Sequence, residues 1–353
     1  MSIIHITEAI DNNLNPKRKS VIQLLGPKTL CLLGPLLFIA CPRSAPPDGG
    51  NVGVSTRPAN VSPVVPSAVA FNGERALAHV RKQVEIGPRA PGSPQLARTR
   101  EYIVKELQSY GLKVSTYEFV ASTPEGEKKM VNITAEIPGE AEEVVILGSH
   151  YDTKFYKDMH FVGANDPGAS VGTLIELGRV LSGNGRKPKF TYWLVFFDGE
   201  ESFCEGWDEC GKPGAPDNTY GSRRYVSELR NENQLDRVRT LILLDMMGYN
   251  NLELGRDPLS TKWLQDIIWQ TAREIGYGSV FVERPEGVGG DDHEPFLRAG
   301  IDAVDIIQLN GYPYWHKPDD TIDKVSARSM KVVGDVVVAS LPRIEQRLLS
   351  KSR

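Results

Sequence analysis

The chain has 353 residues, 24% charged and 40% hydrophobic, with a formal net charge of −4. This ordinary globular balance excludes disordered and fibrous classes and gives no general electrostatic reason to bind nucleic acid. Four cysteines are too few for a dense disulfide scaffold, and the length supports a sizeable core.

The composition changes along the chain. Pro16-Lys17-Arg18-Lys19 and Lys28 precede an apolar run from Leu30 to Ala40, which ends at Cys41. A basic flank, a short apolar stretch and a small residue before a cut form a secretory signal pattern. The run is too short for a spanning helix and carries Gly34-Pro35. Phe38-Ile39-Ala40-Cys41 also resembles a bacterial lipoprotein cleavage box, with Cys41 as the lipidated residue. Residues 1–41 are therefore expected to be a signal or lipoprotein peptide. The protein would be exported, either free in the periplasm or held at a bacterial membrane through a lipid on Cys41. Residues 42–66 hold six prolines and three glycines and read as a linker. Removing 1–41 takes away four basic and two acidic side chains, leaving a charge of −6. Residues 67–353 are the expected folded domain.

That domain alternates two periodicities. Helical spacing marks 71–86, 96–110, 170–181, 221–229, 259–275 and 326–348. Alternation predicts half-buried strands over 112–121 and 130–137. Continuous apolar runs over 143–148, 191–197, 240–244 and 303–307 predict strands buried on both faces. Strands alternating with helices predict an α/β fold. The expected form is a three-layer α/β/α domain with a central mixed, mostly parallel sheet. Gly287-Val-Gly-Gly290 neither follows a strand nor opens a helix, so a phosphate loop is not expected.

Acids and histidines collect where these strands end. They are His150-Tyr151-Asp152, Asp198-Gly199-Glu200-Glu201, Asp245 and Trp315-His316, with Asp166 just before a helix. In such sheets the ligand site lies outside the carboxyl ends of the strands. Each residue alone has an ordinary structural explanation. Five converging groups do not, because that many carboxylates repel one another unless a cation or a shared proton relieves them. Histidine with carboxylates is a ligand set suited to zinc.

The order of these residues resembles the zinc aminopeptidase-like (phosphorylase/hydrolase-like) superfamily. Gly87-Pro88-Arg89, Gly92-Ser93, Asn132 to Ala135, Gly163-Ala-Asn-Asp166 and Asp319-Asp320-Thr321 complete the match, which covers about residues 71–345. Within the superfamily it resembles the glutaminyl cyclases, through Phe196 to Glu201, Tyr220-Gly-Ser-Arg223, Asp291-Asp292-His293 and Trp315. The resemblance implies a glutaminyl-peptide cyclotransferase that converts N-terminal glutamine of peptides or proteins to pyroglutamate. It implies one zinc held by Asp166, Glu201 and His316, with Glu200, Asp245 and Asp291 catalytic. Trp207, Trp315 and Tyr312 would wall the substrate pocket. Asp305 stands where animal cyclases place a histidine, so that role is not carried over.

The runner-up reading is a two-zinc aminopeptidase, with His150 and Asp245 as second-metal ligands and Asp152 supporting His150. A binding domain that merely kept the fold is the third, disfavoured because no ligand is lost. Cys204 and Cys210 flank Trp207. They form a small disulfide loop if the protein is exported, or remain two thiols.

Overall fold

The computed structural model describes residues 69–185, 187–207 and 209–351. They fall within one compact unit, Pro63–Arg353. The expected signal peptide (1–41) and the linker (42–66) lie outside the described residues.

Two helices open the domain, α1 (Gly73–Ile86) and α2 (Pro94–Ser109). Each starts where the sequence supplies a cap. The Asn72 side chain accepts from the amides of Glu74 and Arg75, and Ser93 Oγ accepts from Leu96 N ahead of Pro94. A long hairpin follows, β1 (Lys113–Thr123) and β2 (Gly126–Ile137). Then come β3 (Ala141–His150), α3 (Gly168–Ser182), β4 (Phe190–Phe197), α4 (Tyr220–Asn231) and β5 (Val238–Asp245). The chain closes with β6 (Leu254–Arg256), α5 (Lys262–Glu274), β7 (Phe281–Pro285), α6 (Glu294–Arg298), β8 (Asp302–Ile307) and α7 (Ala327–Lys351).

Six strands form one sheet in the order β1-β2-β4-β3-β5-β8. The β1–β2 and β2–β4 pairs are antiparallel, and β4, β3, β5 and β8 run parallel. The strand periodicity shows why there are three layers. On β3, Val145 and Leu147 join the core under α1, α3 and α7, whereas Val144 and Ile146 join the core under α4 and α6. On β4, Tyr192, Leu194 and Phe196 face the first core and Trp193, Val195 and Phe197 the second. Both faces are apolar, so both need a helical cover.

Two local expectations need correction. The helix expected from Leu259 starts at Lys262, because Asp257 first makes a turn: its carboxylate accepts from Leu259 N and Ser260 Oγ. The strands β6 and β7, which pair in a separate two-stranded sheet, were not expected. Each has five residues or fewer, below the length at which a periodicity declares itself.

The chain leaves β3 on one side toward β4 and returns past it to β5. The crevice at the carboxyl end of β3 is therefore the switch point where α/β sheets bind ligands.

Candidate metal centre

Three adjacent strands deliver the first groups to that crevice. β3 ends at His150, β4 runs into Asp198 to Glu201, and β5 ends at Asp245. Asp166 arrives on the loop before α3, and His316 on the loop between β8 and α7. All but His316 are buried, and its side chain is 14% exposed.

Two ligand sets share one residue. His150, Asp166 and Asp245 form the first, and Asp166, Glu201 and His316 the second, with ligand atoms of each set within 4.8 Å of one another. His150 Nε2 lies 3.1 Å from Asp245 Oδ1 and 3.3 Å from Asp166 Oδ1. His316 Nε2 lies 3.1 Å from Glu201 Oε1 and 3.5 Å from Asp166 Oδ2. Asp166 thus turns one oxygen toward each histidine.

The donors fit a metal. Ligands about 2.0–2.1 Å from a tetrahedral ion stand about 3.3 Å apart, which is the spacing found here. Glu201 Oε2 is buried with no hydrogen-bond partner, as a ligand atom awaiting a cation would be. Burial opposes a charge on His150, yet Glu200 and Asp245 beside it raise its pKa well above the usual value. The field that favours a proton there favours a divalent cation equally. Glu201 is the opposite case: burial pushes against its ionisation, and His316 nevertheless holds its carboxyl below the usual range.

The ligands are held stiffly. The His316 ring stacks on Trp315, with centroids 4.2 Å apart, and meets the edge of Phe161 on another side. Its backbone has a φ of 54°, a left-handed conformation that non-glycine residues rarely adopt. Gly163 has φ +50°, and a Cβ there would stand 1.9 Å from the Asp166 carbonyl oxygen, so only glycine closes this loop. The peptide bond between Asp166 and Pro167 is cis.

Behind the ligands lies a second layer of acids. Burial raises Glu200 well above the carboxylate range; His150 opposes this, and Glu201, Asp291 and Asp292 add to it. Burial and the nearby Asp245 push Asp291 up to about 7. Burial, then Asp291 and Asp257, push Asp305 well up, with the Asp291 carboxyl as its side-chain neighbour. These carboxyls cannot all ionise together, so protons are shared among them. Asp305 thus belongs to the acid layer, where the resemblance had carried no role over. His293 is fully buried with Nε2 3.1 Å from Asp257 Oδ2, a structural placement.

Three of the expected residues make contacts that the resemblance did not give. Asp152 Oδ1 lies 3.7 Å from His150 Nδ1. Its carboxylate also accepts the backbone amides of Gly199, Glu200 and Glu201, so it shapes the turn that presents both glutamates. Tyr312 is 5% exposed, and its hydroxyl donates to Asp320 Oδ1 at 2.6 Å. Trp207 lines a cavity of about 370 Å³ between α4 and α6, with Arg223, Gly289 and Glu294, and no ligand residue lines that cavity. The Cys204–Cys210 disulfide, which is formed, closes the loop that turns Trp207 that way. Trp315 stays beside the ligands, 41% exposed.

Sequence reasoning missed the supports. Lys154 is buried and donates to Ser202 O, Ser202 Oγ and Cys204 O, clamping the segment after Glu201. Arg89 is fully buried and donates to Val162 O and Gly163 O under the Asp166 loop. Its only signal was its place in Gly87-Pro88-Arg89.

Known proteins share this architecture. A glutaminyl-peptide cyclotransferase of Drosophila melanogaster is 29% identical over 274 residues, covering 69% of this chain and 73% of its own. The crystal structure of an Acidobacteriales bacterium glutaminyl cyclase is 32% identical with a TM-score of 0.73, covering 82% of this chain and 99% of that one. A leucine aminopeptidase precursor from Bacteroides thetaiotaomicron is 27% identical with a TM-score of 0.70, covering 77% and 97%. The similarity therefore extends to cyclases and exopeptidases alike. The model of peptidase family M28 matches residues 132–341, more than half of the chain, and the protein belongs to that family.

Proposed function

We propose that the protein is a zinc-dependent glutaminyl-peptide cyclotransferase acting on peptide or protein N-termini. The carrying observation is the acid layer of Glu200, Asp291 and Asp245 standing behind the ligands with its protons shared, together with the likeness to glutaminyl cyclases. Asp166, Glu201 and His316 would hold the ion. When bound, zinc supplies Lewis acidity at the γ-carboxamide carbonyl of an N-terminal glutamine.

In this reading the substrate's own α-amine attacks the γ-carbonyl carbon. A ring C–N bond forms, the bond to the amide nitrogen breaks, and ammonia leaves. Glu200 takes the proton from the amine and delivers one to the departing nitrogen. A carboxyl raised by burial exchanges protons nearer neutral pH than an exposed one. Asp291 and Asp245, proton-sharing, hold Glu200's surroundings anionic enough to receive the proton. Trp315, stacked on His316 and partly exposed, offers an apolar wall beside the reacting centre.

One observation favours the alternative, a two-zinc aminopeptidase: Asp166 offers an oxygen to each histidine, as a bridging ligand does. The experiment gives the zinc-loaded protein a glutamine-initiated peptide and an ordinary aminoacyl amide. Ammonia and pyroglutamate, with one zinc per chain by metal analysis, are expected. Free amino acid with two zincs per chain overturns the cyclase reading. Export is part of the proposal and is supported by the apolar run before Cys41 and by the disulfide. No helix among the described residues is long and apolar enough to cross a membrane.

A further inference from the structure

Asp166 can serve both ligand sets only if its loop is held still, and the loop is held from an unexpected place. Asp320, buried four residues beyond His316, spans the gap. Its Oδ1 accepts from Asn165 N at 2.9 Å, its Oδ2 from Asp166 N at 3.1 Å, and its carbonyl from Ala164 N at 3.2 Å. Three consecutive amides of the Asp166 loop thus end on one residue of the His316 loop. Tyr312 completes the carboxylate, its hydroxyl donating to Oδ1. Asn165 then carries the frame on to β5: its Nδ2 donates to Met246 O at 3.1 Å and its Oδ1 accepts from Gly248 N at 2.8 Å. These two contacts lie just past the ligand Asp245. The frame therefore connects the chain segments that carry Asp166, His316 and Asp245.

We propose that Tyr312 and Asp320 are positioning residues that set metal affinity by fixing the Asp166 carboxylate between His150 and His316. The inference rests on the metal reading above. Hydrogen-bond partners beyond the ligands typically change metal affinity by about 10–100-fold when removed. Tyr312→Phe deletes one donor and leaves the ring in its aromatic cluster with Tyr249 and Tyr314. Asp320→Asn sets an amide donor against two backbone donors and is the stronger perturbation. Tyr314→Phe is the control, because Tyr314 packs in the same cluster without contacting the Asp320 carboxylate in any recorded hydrogen bond.

The test is a chelator-competition titration of the full chain with zinc, alongside thermal melting of the metal-stripped protein. Tyr312→Phe is expected to weaken zinc binding about 10-fold and Asp320→Asn about 100-fold. Tyr314→Phe should match the parent. The double variant should bind no more weakly than Asp320→Asn alone, because Tyr312 acts through Asp320. Should Asp320→Asn fail to fold, Tyr312→Phe decides alone. Unchanged zinc affinity in Tyr312→Phe, with or without a lower melting temperature of the stripped protein, overturns the inference and leaves the metal reading standing. A parent protein that takes up no zinc overturns both.

Discussion

Buried acids occur in two regions of this molecule, and they are treated differently. In the helical layer and at the amino ends of the strands, buried acids gather several donors each. Glu176 on α3 receives Asn72 N, Arg75 Nε and the Arg179 guanidinium. Glu345 on α7 receives Lys189 N, Phe190 N and Tyr192 Oη. At the carboxyl ends of the strands, Glu201 keeps a buried oxygen with no donor, and the Asp305 carboxyl faces another acid, Asp291. The same side chain at the same burial is therefore structural in one place and poised in the other. The difference is the supply of donors, and an acid left short of them needs a proton or a cation.

This contrast can be broken most sharply at Glu200. Glu200→Gln keeps the shape and removes the exchangeable proton, so kcat for ammonia release should fall about 10²–10⁴-fold. The stripped variant should nevertheless melt higher than the stripped parent at pH 8. An unfolded glutamate ionises near its ordinary value, whereas folded Glu200 holds its proton to a higher pH. Parent stability is therefore lost as pH rises through that window, and glutamine has nothing to lose. A variant that melts lower at pH 8 would contradict the poised reading.

The mirror experiment is Glu176→Gln. Removing a satisfied buried acid strands its charged donors, and a cost of about 3 kcal/mol in denaturant unfolding is expected with kcat unchanged. Equal loss of activity and stability would erase the distinction between the two regions.

The smallest effect concerns His79, buried in the helical layer with Nδ1 2.6 Å from Tyr102 Oη. Burial lowers its pKa from 6.5 to about 4, with Glu176 opposing and Arg75 assisting. As pH falls from 6.5 to about 4, the unfolded chain takes a proton that the folded chain refuses, so stability is lost across that window. Comparing parent with His79→Gln by thermal melts from pH 7 to 4 should isolate this loss, which the variant lacks. Parallel pH curves for the two proteins would refute it.

Much of the fold was legible because its strands are extreme. Tyr192 to Phe197 has no polar break, so burial on both faces follows from the residues alone. The ligands were legible for the same reason: a histidine or acid ending such a run has to stand at the sheet edge. The loops were not. Tyr312, given by the resemblance only as a pocket wall, turns its hydroxyl onto Asp320. Trp207 reads as a neighbour of Glu201 but lies against Gly290, on the loop that carries Asp291. Lys154, a buried ammonium held by two carbonyls and a hydroxyl, has no signature in the residues around it.

The amino-acid sequence by itself determined the layered sheet and the set of acids and histidines at one edge. Apolar periodicity and burial act locally and leave a record in residue order. Tertiary structure alone decided that Asp166 faces both histidines, that Asp152 serves the glutamate turn and that Asp320 holds the Asp166 loop. Those contacts join residues far apart in the chain, such as Asp320 and Asp166, and depend on directions that loops acquire only once the sheet is in place.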